Sequence, residues 1–273
     1  MSGERLTNLI ENYLSGSPGP KHIAFQGGEP LLMGEGFFRK AAEIAAGRIE
    51  FSVQTNATLM TESLARFFAN ERWLIGVSPH NRKCEEGIKL LASAGAEYNV
   101  LQLITRENVD KPEELYHHLR DDLGAKYHQY IECSHPSDYA IDAMAWGEFL
   151  CRLFDEWTKE GDEHRISVRN FDAVVSRLVT GREELCNFSP YCHHYLVVDH
   201  NGDVYPCDFY CEERWRLGNI GSKSLFELFN SSKALEFAER KKNYFDCPRS
   251  RGMLDAGWQR FFDYATQKLQ NLI

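Results

Sequence analysis

Cysteines crowd the last third of this 273-residue chain. Of its 8 cysteines, Cys84, Cys133 and Cys151 are scattered, whereas Cys186, Cys192, Cys207, Cys211 and Cys247 fall close together. Clustered thiols in a chain with no secretion signal more often bind metal or do chemistry than pair as disulfides. Cys186-x5-Cys192 precedes Tyr195-Leu196-Val197-Val198, a turn signal His200-Asn201-Gly202-Asp203, and a return through Val204-Tyr205 to Cys207. That pattern predicts a hairpin. A hairpin folds its ends together, so Cys192 and Cys207 should be neighbours, Cys186 is close enough to join them, and Cys247 can loop back. Four such thiolates suit zinc or an iron–sulfur cluster. The lack of a compact C-x2-C pair lowers the zinc reading. Unrelated buried thiols are the bland alternative, Cys211 is ambiguous, and Cys151 reads as helical core.

Two other stretches carry candidate chemistry. Asp208 follows Cys207 directly; a carboxylate there is placed either to act as a general base or to bond its own backbone in a turn. Gln26-Gly27-Gly28-Glu29-Pro30 closes the apolar run His22-Ile23-Ala24-Phe25. Adjacent glycines at a strand's end leave main-chain groups open to a polar ligand, Glu29 can receive an ammonium group, and Pro30 stiffens the exit. A plain strand-to-helix turn would need the same residues.

Bulk properties narrow the class. Hydrophobic residues make up 43% and charged residues 26%, ordinary for a soluble globular chain. Asp plus Glu is 40 against 31 Lys plus Arg, a formal net charge of −9 that argues against nucleic acid as the main partner. No apolar run approaches the roughly 18 residues that span a bilayer, and Met1 to Glu11 is not a signal peptide. The expectation is a cytoplasmic protein with no membrane partner.

The elements that must position these residues alternate. A helical stripe over 4–14 ends at Ser15 to Pro20. Strands are predicted at 22–26, 49–54, 73–77, 99–105 and 127–131, with helices between them, one starting at Pro112 and continuing to Gly124. Strict alternation implies parallel strands in an open sheet or partial barrel, with ligands at the strands' C-terminal ends. Gln26 to Pro30, Gln54-Thr55-Asn56, Ser78 to Asn81, Thr105 and Glu132 lie just there. Thr55 and Asn56 serve equally well as turn formers. Glu132 and His128 are candidates for a substrate channel or for the surface. Beyond 140 come aromatic-rich helices over 144–157 and 171–178, the hairpin, short helices over 225–229 and 234–238, and a closing helix over 258–272.

Phe25-Gln26-Gly27-Gly28-Glu29-Pro30, Gln54-Thr55-Asn56 ahead of Leu59, Gly76-Val77-Ser78, Val204-Tyr205-Pro206-Cys207-Asp208-Phe209-Tyr210 and Trp215-Arg216-Leu217-Gly218-Asn219-Ile220 resemble, in order, the anaerobic sulfatase-maturating enzymes. These are radical S-adenosylmethionine (SAM) enzymes with a C-terminal SPASM domain. The resemblance implies an α/β fold: a partial (β/α)6 barrel over 1–140 with the first strand missing, a helical connection over 141–182, and a small α+β SPASM-like domain with a C-terminal helix over 183–273. It implies SAM binding by Gln26, Gly27, Gly28, Glu29 and Pro30, with Gln54 and Ser78 also on the cofactor. It implies [4Fe–4S] ligation by Cys186, Cys192 and Cys207, with Cys247 starting the run that binds a second cluster, and a general-base role for Asp208. The implied reaction is oxidation of a sulfatase Cys or Ser to Cα-formylglycine by a 5′-deoxyadenosyl radical. The implied partners are a sulfatase polypeptide and an electron donor.

Three departures from the family pattern stand out. The C-x3-C-x2-C motif of the SAM-cleaving cluster would precede residue 1. The segment after Ser78 passes almost at once into a helix where the family has a longer loop. Cys247-Pro248-Arg249-Ser250 runs into the last helix where the family has further cysteines. One expectation is that segments of the natural protein are omitted; another SPASM peptide-modifying enzyme and a non-catalytic peptide- or metal-binding relative are the competing readings.

Overall fold

The computed structural model describes residues 1–16, 19–133, 137–159, 161–186, 188–189, 191–240 and 253–270. Cys247 therefore lies outside the described residues. The chain divides into two units, one of Met1–Ser52 with Ser189–Tyr244, the other of Val53–Phe188 with Phe245–Ile273.

Strands β1 (His22–Phe25), β2 (Glu50–Thr55), β3 (Leu74–Val77), β4 (Tyr98–Ile104), β5 (Tyr127–Glu132) and β6 (Ser167–Val168) form a parallel sheet in the order β1-β2-β3-β4-β5-β6. The register pairs Ile75 with Tyr98, Val100 with His128, and His128 with Val168. Helices α1 (Gly3–Gly16), α2 (Glu35–Ala45), α3 (Glu62–Asn70), α4 (Arg82–Ala94), α5 (Pro112–His117) and α6 (Ala143–Lys159) precede or separate the strands, and α7 (Arg169–Thr180) follows the last of them.

Local chemistry explains these boundaries. Alternation along β2 buries Phe51, Val53 and Thr55 and leaves Ser52 and Gln54 half-buried on the opposite side. Thr61 caps α3 by accepting from Leu64 N at 3.2 Å, and Asn81 caps α4 by accepting from Lys83 N and Cys84 N. Gly95, at φ 71°, closes α4 in the left-handed conformation.

The sheet has one strand more than the five expected. Ser167–Val168 is two residues long, too short to show alternation in sequence. Beyond it, Asn170 takes over the pairing: Tyr130 N donates to its Oδ1 at 2.9 Å, and its Nδ2 donates to Tyr130 O at 3.0 Å. An asparagine side chain thus satisfies both backbone groups of Tyr130 where the strand runs out. The helix expected from Pro112 to Gly124 is also interrupted. At His118–Asp122 it widens into a π turn, which turns Arg120 toward the buried carboxylate of Asp162 at 2.6 Å.

Two helices close the second unit. Helix α10 (Met253–Gln270) crosses α6, with Gly147 and Gly257 at the crossing. A Cβ on Gly257 would stand 2.2 Å from Ala143 O, so the backbones meet without side chains between them. Trp146 and Trp258 flank the crossing with ring centroids 5.8 Å apart. Cys151 on α6 is buried, as its apolar surroundings predicted.

In the first unit, β7 (Val197–Val198), β8 (Asp203–Tyr205) and β9 (Gly218–Asn219) form an antiparallel sheet, followed by α8 (Leu225–Phe229) and α9 (Ser232–Glu239). Its core joins Val204, Leu217, Ile220, Leu225 and Leu228 to Leu9 of α1. Asn12 fixes the join: it donates to Ile220 O and Lys223 O, and accepts from Leu225 N at 2.8 Å.

Candidate functional site

The turn after β1 is built as the glycines require. Gly27 and Gly28 have φ of 89° and 58°, in the left-handed region that residues with a Cβ avoid. A Cβ at either would meet nothing within 4 Å, so the space over this backbone is open. Gln26, Gly27 and Gly28 are exposed, Glu29 is half-buried and Pro30 is buried. Glu29 Oε1 accepts from Leu31 N at 2.9 Å and so caps the short turn Pro30–Met33. The glutamate thus has a structural duty beside any ligand role.

At the tip of β2, Thr55 Oγ1 accepts from Ala57 N, and Asn56 Oδ1 accepts from Thr58 N and from its hydroxyl. These are side-chain-closed turns, so both residues act as turn formers. Gln54 is different. Its Nε2 donates to Ser78 Oγ at 3.0 Å, and Ser78 N donates to Thr55 O at 3.2 Å. The β2 and β3 tips are thereby tied through two of the residues expected on the cofactor. Gly76 makes the tie possible, since a Cβ there would fall 2.0 Å from Gln54 Oε1.

His128 is not on the surface; it sits at the wall of a cavity shared with Tyr127, Ser167 and Asp172. It is 1% exposed, contacts Ala125 O at 3.0 Å through Nε2, and lies 3.3 Å from the Tyr130 hydroxyl. Its side chain is core. Glu132 is half-buried at the C-terminal end of β5.

The cysteine region follows from the hairpin. Gly202, at φ 90°, makes the turn, with Gly202 N donating to Asp199 O and Asp203 N to Asn201 Oδ1. The register pairs Val198 with Val204 and Val197 with Tyr205. Cys192 and Cys207 both pack against one aromatic cluster of Tyr210, Trp215 and Phe237. Cys192 is held further by its backbone N–H, donated to Ala238 O at 3.0 Å. Cys186 is half-buried and belongs to the other unit. Among the described residues, no group of three or more His, Cys, Asp or Glu stands ready to hold a metal ion.

The donor chemistry of the pair fits an iron–sulfur cluster. Burial pushes the Cys207 thiol up to about 12. A thiolate is therefore unstable in this pocket unless a cation accompanies it. Asp208 is exposed, on a short turn over Asp208–Tyr210. Its Oδ1 accepts from the Tyr195 hydroxyl at 2.6 Å. In sequence Tyr195 is an ordinary strand residue; it is the hairpin register, with Val197 opposite Tyr205, that brings it to Asp208.

Comparisons with known proteins bear on this arrangement. The model of the SPASM iron–sulfur cluster-binding domain matches residues 186–249, a span containing Cys186, Cys192, Cys207 and Cys247. The cysteine-type anaerobic sulfatase-maturating enzyme of Clostridium perfringens (strain 13 / Type A) is 29% identical over 328 positions, covering 100% of this chain and 88% of the relative. The serine-type enzyme of Bacteroides thetaiotaomicron is 29% identical over 286 residues, covering 88% of this chain and 69% of the relative. Native anSMEcpe with bound AdoMet and Cp18Cys peptide superposes over 100% of this chain and 91% of its own, with a TM-score of 0.89 and 27% identity. The chain is similar over its whole length to the anaerobic sulfatase-maturating enzymes. The alignment to the Clostridium member of the family runs over 328 positions against 273 residues, so about 55 positions within it have no counterpart here. Among the described residues, no helix is long and apolar enough to cross a membrane.

Proposed function

We propose that this protein is a radical SAM oxidoreductase that matures sulfatases by oxidising a Cys or Ser side chain to Cα-formylglycine. The observation that carries the reading is the superposition of the whole chain on anSMEcpe holding AdoMet and the Cp18Cys peptide. When bound, the [4Fe–4S] clusters and SAM supply the hydrogen-abstracting radical and the acceptor for the released electron.

The chain's own residues have simpler tasks. The main chain at Gly27 and Gly28, with Gln26, Glu29 and Pro30, receives the methionine end of SAM, because open backbone and a carboxylate match an ammonium group. Gln54 and Ser78, fixed by their mutual hydrogen bond, present polar groups to the ribose. Cys186, Cys192 and Cys207 ligate one cluster and Cys247 opens the ligand set of another. Asp208 takes the proton from the substrate thiol or hydroxyl. The partners are a sulfatase polypeptide and a reductant for the clusters. The domain division proposed is a barrel over 1–140, a connection over 141–182 and a SPASM-like domain over 183–273.

Anaerobic reconstitution with iron and sulfide tests this. In protein that also carries the C-x3-C-x2-C segment, the expected result is several iron atoms per chain, 5′-deoxyadenosine released from SAM, and a formylglycine product from a sulfatase peptide by mass spectrometry. A protein that takes up no iron, or whose Cys192→Ala and Cys207→Ala variants take up as much as the parent, sinks the reading.

A further inference from the structure

We propose that Tyr195 is a positioning residue for Asp208: its phenol O–H, donated to Oδ1 at 2.6 Å, fixes the carboxylate and leaves Oδ2 to accept the substrate proton. This rests on the general-base reading of Asp208 given above.

The pairing comes from the hairpin. Val198 opposes Val204 and Val197 opposes Tyr205. Continuing that register past the end of the ladder sets Tyr195 across from Cys207, and hence beside Asp208. The Tyr195 oxygen does lie 3.6 Å from Cys207 Sγ as well as on Asp208. The turn at Asp199–Asp203 thus fixes the tyrosine's place, and a one-residue slip would send it to the other face.

The direction of the bond is also determined. Among the described residues, both side-chain contacts of the Asp208 carboxylate, from Tyr195 and from Cys207 Sγ at 3.5 Å, fall on Oδ1. A Cys207 thiolate bound to iron has no proton to give, so the Tyr195 bond is the one that survives cluster binding. The phenol O–H donates and the carboxylate oxygen accepts. An exposed aspartate on a short turn samples several rotamers unless something holds it, and a proton acceptor displaced by an ångström loses much of its effect.

Tyr195 is 42% exposed, so Tyr195→Phe removes one oxygen without opening a cavity in the core. In the cluster-loaded enzyme the variant is expected to keep the parent's iron content, cluster electron paramagnetic resonance spectrum and KM for a sulfatase peptide. Formylglycine formed per 5′-deoxyadenosine is expected to fall about tenfold. An anaerobic crystal structure of the variant is expected to show the Asp208 carboxylate rotated away. An Asp208 that keeps its place, or a product ratio equal to the parent's, overturns the proposal. A changed cluster spectrum with Asp208 unmoved also overturns it, since the phenol then serves Cys207 instead. Asp208→Asn separates the two claims: parent-level formylglycine from that variant defeats the general-base reading itself, whereas an inactive Asp208→Asn beside a normal Tyr195→Phe defeats only the positioning role.

Discussion

Gln54 donates its side-chain amide to the hydroxyl of Ser78 at 3.0 Å, and Gly76 is the residue that leaves room for it. An added methyl at Gly76 would also come within 3.1 Å of Asn99 Oδ1. The nearest atom belongs to the end of a flexible glutamine, which can swing aside. Gly76→Ala is therefore expected to change thermal stability little while breaking the Gln54–Ser78 bond. SAM affinity should fall about tenfold, the worth of a positioned polar contact. Equilibrium dialysis with labelled SAM measures it, and unchanged binding would detach Gln54 from the cofactor.

The crossing of α6 and α10 predicts the opposite balance. At Gly257 the obstacle is the backbone carbonyl of Ala143, which cannot swing aside. Gly257→Ala should cost about 1–3 kcal/mol through overpacking. Gly36, on α2, has open space around its missing Cβ and no positive φ, so Gly36→Ala should stabilise by about 0.5–1 kcal/mol. Urea unfolding of the two variants side by side checks the contrast in sign.

Asp162 is fully buried yet ionised. Burial alone would raise its pKa, but Arg120, Tyr116 and Arg165 together hold it below the usual value. Tyr116 donates to Oδ2 at 2.8 Å, Arg120 donates to the same oxygen at 2.6 Å, and Arg165 bonds Oδ1. Removing the carboxylate leaves the Tyr116 phenol without this acceptor, while Arg120 keeps its bonds to Asp121. Asp162→Ala should destabilise by about 1–3 kcal/mol, and a loss well under about 1 kcal/mol would show that the network relaxes around the gap.

His128 sets a pH response. Burial lowers its pKa from 6.5 to about 4, an effect only partly opposed by the Ala125 carbonyl. The unfolded chain takes up a proton below pH 6.5 that the folded chain refuses. Stability is therefore complete above pH 6.5 and declines as pH falls toward 4, by about 3 kcal/mol in all. In His128→Gln the slope of unfolding free energy against pH should be flatter across that window. An unchanged slope would mean that the imidazole charges in place.

Much of the site's scaffolding could be read from the chain alone. The turn Gln26 to Pro30 was legible because two glycines with positive φ, a carboxylate and a proline are a short list of residues with few other uses in that order. The hairpin before Cys207 was legible because Asn201-Gly202 between alternating residues fixes a turn locally. Contacts between distant segments were not. Nothing local links Gln54 to Ser78, Arg120 to Asp162, or Asn12 to Leu225, because each bond depends on where a whole element is packed.

The sequence by itself determined the alternation of strands and helices, the open backbone at the tip of β1 and the resemblance to the anaerobic sulfatase-maturating enzymes, since periodicity and short motifs are properties of neighbouring residues. Only the tertiary structure decided that His128 is core, that a two-residue sixth strand ends on Asn170, that α1 shares a core with the C-terminal sheet, and that Tyr195 reaches Asp208. Those outcomes turn on burial and on register, and both are set by packing between segments far apart along the chain.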